Sequence, residues 1–258
     1  MDDVVNRAAE ALTRLRRERP LVLSITNTVV TNWTANCLLA LGAKPAMLEE
    51  PNEAAQLAAK VDAVLINLGT VTAQQFQAMR VAATAANAAN VPWVLDPVAV
   101  DKLTYRRTLA TSLIAQKPRL IRGNSDEINF LLGSVPHFQG SVPLLSTGPV
   151  DEIWGSVPIR NEGSVPFGEG SVPIRIANGV EMLTRVTGTG CAQGAIAAAF
   201  CAVEPDPVVA AVATSLTMGI AGEMAFEKAQ RPGSFQIALL DAFDELDAQA
   251  LMRKAKVL

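Results

Sequence analysis

The chain has 258 residues, 50% of them hydrophobic, 18% charged and 5% aromatic, with a formal net charge of −3. That apolar content excludes disorder throughout, and the mild acidic balance gives no electrostatic footprint for nucleic acid. The longest apolar stretches, 195–203 and 208–221, fall short of the ~20 residues that span a bilayer. The first residues lack the basic flank and apolar run of a signal peptide. Three cysteines with one histidine, His137, make neither a conventional zinc site nor a disulfide framework. The expectation is a single domain over residues 1–258, cytoplasmic, with no nucleic-acid and no membrane partner.

Helical spacing of Val4, Val5, Ala8, Ala9, Leu12 and Leu15 predicts a first helix over 3–16, stopped by Pro20. A buried strand over 21–25 then ends at Thr26-Asn27, and a helix over 30–41 closes at Gly42. The unit recurs: a short strand at 45–48 and a helix at 52–59; a strand at 63–67 and a helix at 73–89; a strand at 93–95 and a helix at 104–116. Leu120-Ile121 then leads into Arg122-Gly123-Asn124. Alternating strands and helices predict an α/β fold with a mostly parallel sheet and right-handed crossovers. Ligands of such sheets collect outside the carboxyl ends of the strands, here Thr26-Asn27, Asn67 to Thr70, Asp96-Pro97 and Arg122 to Asn124. Any one cluster reads equally as a turn; four on one rim favour a site.

The chain then changes character. Gly-Ser-Val-Pro starts at Gly133, Gly140, Gly155, Gly163 and Gly170, and residues 133–175 hold six prolines, seven glycines and no alanine. This atypical segment reads as a Pro-rich surface excursion, as short edge strands joined by turns, or as sequence foreign to the protein. A loop-rich excursion with some edge strands is preferred. Within it, Leu144 to Gly148 reads as a strand ending in a turn. From Ala177 the globular pattern resumes, with helices over 191–203, 208–229 and 236–253.

Thr187-Gly188-Thr189-Gly190-Cys191 before an Ala-rich helix is the sharpest local feature. Its glycines allow a tight turn and close backbone approach, and the helix start favours an anion and partial ionisation of the thiol. The motif is neither GxGxxG nor GxxxxGK[ST]. The plainer readings are packing glycines, core cysteines at Cys37 and Cys201, a turn-former at Asp96, a first-turn acid at Glu127, a core methionine at Met47 and an exposed loop residue at His137.

Taken together, Ile25-Thr26-Asn27, Thr34 to Ala43, Pro45-Ala46-Met47, Ile66 to Thr70, Leu95 to Val98, Ile121 to Asn124 with Glu127-Ile128, Val186 to Cys191 and Pro232 to Phe235 resemble the hydroxyethylthiazole kinase family. The motifs run in order over about 20–132 and 177–242. The resemblance implies a three-layer ribokinase-like fold and ATP- and Mg²⁺-dependent phosphorylation of 4-methyl-5-(2-hydroxyethyl)thiazole in thiamine salvage. It implies that Met47 contacts the thiazole and Gly188 lines its site, that Arg122, Asn124 and Thr147 bind ATP, and that Asp96 and Glu127 place the metal. Cys191 stands where most ribokinase-like enzymes carry an aspartate base, so Cys191 and Asp96 are the implied catalytic pair. The family also implies a homotrimer with sites between subunits, Asn27 and Met47 facing a neighbour. The alternatives are another small-alcohol kinase of the superfamily, such as a hydroxymethylpyrimidine kinase, or a ligand-binding homologue without catalysis. The family places an Ala-rich crossover helix between Ile128 and Leu144. The repeats standing there predict a disrupted crossover.

Overall fold

The computed structural model describes residues 2–134, 142–155 and 172–258. Helix α1 (Asp2–Glu18) opens on Asp2 and Asp3 and closes on Arg16 and Arg17, each pair opposing the partial charge at its end of the helix. Five strand–helix units follow: β1 (Leu21–Ile25) with α2 (Thr31–Leu41), β2 (Lys44–Met47) with α3 (Pro51–Ala58), β3 (Ala63–Asn67) with α4 (Ala73–Ala88), β4 (Trp93–Asp96) with α5 (Thr104–Ile114), and β5 (Leu120–Asn124) with α6 (Ser125–Ser134). Strands β6 (Leu144–Thr147), β7 (Asp151–Trp154) and β8 (Ile174–Ile176) come next. Helices α7 (Thr189–Val203), α8 (Pro207–Lys228), α9 (Pro232–Glu245) and α10 (Ala248–Lys254) close the chain.

The described strands form one sheet in the order β2-β1-β3-β4-β5-β6-β7-β8. Neighbours from β2 to β6 are parallel, while β7 and β8 add antiparallel at the edge. Successive strand residues face opposite layers. Val22, Leu65, Val94, Leu120 and Leu145 pack with α1, α2 and α7 to α10, whereas Leu23, Val64, Ile66, Leu95 and Ile121 pack with α3 to α6. Burial on both faces is why these strands read as unbroken apolar runs. Helix α8 is long and apolar enough to cross a membrane by composition, yet 83% of its most apolar window lies buried inside the protein. Its hydropathy belongs to the core.

Three sequence expectations change. The crossover after β5 does carry a helix: α6 buries Ile128 and Leu131, runs into Gly133-Ser134 of the first repeat, and leads to β6 in parallel register with β5. Two buried anchors on one helix face outweigh one glycine at its end. The final helix is two: Asp247 accepts from the Ala250 N–H at 2.7 Å and starts α10 afresh, and α9 begins at Pro232, whose missing N–H costs nothing at a first helical position. Helix α7 starts at Thr189, so Gly190 and Cys191 lie inside its first turn. The preference for edge strands is met by β7 and β8. His137 and the whole repeat starting at Gly163 lie outside the described residues, as does part of each of the other four repeats.

Candidate active site

The parallel strands deliver their polar ends to one rim. Asn67 on β3 stands opposite Asp96 on β4, and Asn124 on β5 opposite Thr147 on β6. Asp96 is fully buried. Its Oδ2 accepts from Asn67 Nδ2 at 2.6 Å, and the Asn67 amide is oriented because its Oδ1 accepts from the Gly69 N–H at 2.8 Å. The other oxygen, Oδ1, has no hydrogen-bond partner and lies 3.6 Å from Arg122 Nη1. Burial pushes the Asp96 carboxyl up to about 7; Arg122 and Asn67 oppose the rise and Glu127 adds to it.

Arg122 links this buried carboxyl to a cavity of about 550 Å³, whose wall includes Asn124, Thr147, Asp151, Asn178, Gly190 and Met218. Its Nη2 donates to Thr147 Oγ1 and to Gln193 Oε1, both at 3.0 Å, and its Nε donates to the same Gln193 oxygen at 3.3 Å. Gln193 Nε2 lies 3.5 Å from Asp151 Oδ2, which accepts from Ser215 Oγ at 2.6 Å; Asp151 Oδ1 accepts from the Gly148 N–H at 3.0 Å. Burial raises the Asp151 carboxyl above the usual range against these donors. Sequence reasoning passed over Gln193, Asp151 and Ser215. The one signal was a glutamine inside an otherwise apolar helix start.

Gly188 caps α7 at φ +88°, a left-handed conformation that side chains rarely adopt. A Cβ there would lie 2.7 Å from Val30 Cγ1 and 3.0 Å from Trp33 Cδ1, so the motif packs directly on the entry to α2. At Gly190 a Cβ would meet Arg122 Nη1 at 3.1 Å; the missing side chain lets the guanidinium lie against the helix. No side chain caps the start of α7, which leaves first-turn N–H groups for an anion.

Cys191 is buried, and Asn27 Nδ2 approaches its Sγ at 3.9 Å while Asn27 Oδ1 accepts from the Val29 N–H at 3.0 Å. Burial, with Asp96 reinforcing, pushes the thiol up to about 11 despite Arg122 and the two asparagines, opposite in direction to the expected partial ionisation. Cys37 and Cys201 are buried core thiols, as the plainer reading had them.

Glu127 sits in the first turn of α6 and exchanges hydrogen bonds with Asn124: each backbone N–H donates to the other's side chain at 2.9 Å, the reciprocal pattern of a capping box. Its second oxygen accepts from the Ala99 N–H at 2.7 Å and so ties the loop after β4 to β5. Met47 stands apart. It ends edge strand β2 opposite Ser24, half-buried, and does not line the cavity. The structure thus gathers Asn27, Asp96, Arg122, Asn124, Glu127, Thr147, Gly188 and Cys191 on one rim, with Met47 at its edge-strand end, and of these Arg122, Asn124 and Thr147 line the cavity. Among the described residues no group of three or more His, Cys, Asp and Glu side chains is arranged to hold a metal ion. The unpaired Asp96 Oδ1, with Glu127 close by, suits instead a magnesium ion carried mostly by water and phosphate oxygens.

The layered sheet is that of the ribokinase-like class. A ribokinase-like superfamily protein from Enterococcus faecalis V583 superposes with a TM-score of 0.51 at 13% identity, over 96% of this chain and 95% of that one. The chain belongs to the hydroxyethylthiazole kinase family, whose model matches residues 12–142 and 166–249. The unmatched interval holds Thr147 and all of β7. Hydroxyethylthiazole kinase from Akkermansia muciniphila is 43% identical, with 99% of this chain and 97% of that protein covered. The enzyme of the same name from Granulibacter bethesdensis is 46% identical, with 98% and 94% covered. A solved hydroxyethylthiazole kinase structure from Pyrococcus horikoshii OT3 has a TM-score of 0.86 at 34% identity, covering 97% of this chain and 98% of that one.

Proposed function

We propose that the protein transfers the γ-phosphoryl group of ATP to the hydroxyl of hydroxyethylthiazole, the step that returns this thiazole to thiamine synthesis. The observation that carries the reading is the meeting of Arg122, Asp96 and the uncapped start of α7 beside the 550 Å³ cavity, in a chain of this family. A phosphoryl group between them meets a guanidinium, helix N–H donors and a carboxylate able to hold a cation.

Phosphoryl transfer asks for charge neutralisation and alignment more than for a strong base. Arg122 binds the nucleotide phosphates together with Thr147 and Asn124, and its planar fork suits paired contacts to phosphate oxygens. The first-turn N–H groups of α7 hold the transferred phosphoryl oxygens. Asp96 and Glu127 would hold Mg²⁺, which when bound would supply charge neutralisation for the nucleotide phosphates. Cys191 stays a neutral thiol near pH 7 and keeps the alcohol in line. The alcohol's proton leaves late, once bonding to phosphorus has made it acidic, and passes to an oxygen of the transferred phosphoryl group and then to water as ADP departs. Gly188 lets the turn pack closely on Val30 and Trp33 and so fixes the backbone beside which the alcohol is held.

Met47 then contacts the thiazole across a subunit boundary, in a homotrimer with sites shared between neighbours. The half-buried edge strand β2 and the exposed Val29, Leu39 and Ile237 support that arrangement. Three unpaired cysteines suit a reducing cytoplasm, and the whole chain acts as a single domain.

The test is a panel of alcohols with purified protein, ATP and Mg²⁺, read by ADP release. Turnover is expected with hydroxyethylthiazole and not with hydroxymethylpyrimidine. The reverse preference assigns the chain to another alcohol, and saturable thiazole binding without ADP release makes it a non-catalytic homologue.

A further inference from the structure

We infer that Gln193, itself oriented by Asp151, is the positioning residue that holds the Arg122 guanidinium toward the nucleotide phosphates; the inference rests on the nucleotide reading of the cavity. Arg122 is long and rotatable, yet its side chain is only 11% exposed and two of its nitrogens converge on one oxygen, Gln193 Oε1. With Thr147 also accepting from Nη2, Nη1 is left with only the 3.6 Å ion pair to Asp96 among the described residues. Both Nη atoms lie against Gly190 in the first turn of α7, 3.1 and 3.2 Å from where a Cβ would stand, and Nη1 is the one without a hydrogen-bond acceptor among the described residues. One edge of the guanidinium is clamped, and the other is turned toward the proposed phosphoryl site.

A glutamine amide is nearly symmetric in shape, so packing alone does not choose which end meets the arginine. Asp151 makes the choice. Its Oδ2 stands 3.5 Å from Gln193 Nε2. A flipped amide would set an oxygen against that carboxylate and an NH₂ against the guanidinium, two repulsions at once. Asp151 is in turn held by Ser215 Oγ from α8 at 2.6 Å and by the Gly148 N–H at 3.0 Å. The relay thus runs from α8 through β7 and α7 to β5, within a buried region where such polar contacts are strong.

ATP binding by calorimetry on the full-length protein, with near-ultraviolet circular dichroism as the check on packing, tests the relay without requiring turnover. Gln193→Ala is expected to weaken ATP binding about tenfold, the scale of one hydrogen bond to a charged group. Gln193→Met, of similar length and suited to the helix, should do the same if the alanine variant packs poorly. Asp151→Asn should weaken ATP binding in the same direction and add little to Gln193→Ala, because both act through one guanidinium. In an Arg122→Ala background, Gln193→Ala should have no further effect. In steady state the KM for ATP should rise while the KM for the thiazole alcohol stays unchanged. Wild-type affinity in the folded Gln193 variants, or an equal loss in the Arg122→Ala background, would overturn the relay. Failure of the wild-type protein to bind ATP would overturn the nucleotide reading itself.

Discussion

Asp96 and Arg122 form an ion pair that is close without being hydrogen-bonded: Nη1 stands 3.6 Å from a buried carboxylate oxygen with no other partner. The cation therefore compensates the loss of water around Asp96 only in part, and the carboxyl rises to about 7. The unfolded chain releases the same proton near pH ~4. Stability from this group is thus fully present below the unfolded value and is lost as the pH climbs toward 7. The protein keeps a poorly compensated charge at the place where a cation and phosphates are proposed to sit.

Asp96→Asn removes that charge and keeps an oxygen for Asn67. The variant should melt higher than wild type at pH 8, by a gain on the order of 1–2 kcal/mol, and show a smaller gain at pH 5, while phosphoryl transfer collapses. Thermal melts at the two pH values with parallel assays check this. A lower melting point at pH 8 would mean that Arg122 compensates the charge fully.

The thiol at Cys191 should behave as an unreactive group. With its ionisation pushed up to about 11, and with Cys37 and Cys201 raised further by burial, the folded protein should react slowly with iodoacetamide at pH 8. Mass spectrometry of the labelled peptides reads this directly, and a rapidly alkylated Cys191 would show that the helix start wins over desolvation. Cys191→Ala should keep the fold and lower turnover about tenfold, as fits a group that aligns the alcohol more than it deprotonates it.

The two glycines of the turn should separate stability from binding. Gly188→Ala meets both a left-handed backbone and Val30 Cγ1 at 2.7 Å, so it should destabilise by about 2–3 kcal/mol in urea unfolding. Gly190→Ala has ordinary helical geometry and meets only the end of the Arg122 side chain, at 3.1 Å. It should leave stability nearly unchanged and raise the KM for ATP. Equal effects of both substitutions on stability would place Arg122 on a rigid wall.

Much of this was readable in order along the chain. Near-continuous apolar runs at Val22 to Ile25 and Ala63 to Ile66, each closed by a polar residue, announce both the parallel sheet and its ligand-bearing rim. Helix α6 was hidden because Gly-Ser-Val-Pro signals a break, whereas Ile128 and Leu131 carry the helix as far as Ser134 before the break takes effect. Strands β7 and β8 are too short for a period to register. The kink at Leu246-Asp247 depends on a cap that competes with unbroken helical spacing. The relay from Arg122 through Gln193, Asp151 and Ser215 joins residues up to 71 positions apart, so only the folded chain displays it. The upward shift of the Cys191 thiol is hidden for a related reason: a helix start is visible locally, but burial beside Asp96 is a property of the tertiary structure.

Phosphorus NMR of purified protein with ATP, Mg²⁺ and hydroxyethylthiazole tests the central claim most directly. A new phosphate monoester resonance should grow in step with ADP and vanish when Arg122 is replaced by alanine. ATP that stays intact beside the folded wild-type protein, or that yields only inorganic phosphate, would contradict the assignment of this rim as a thiazole-alcohol kinase site.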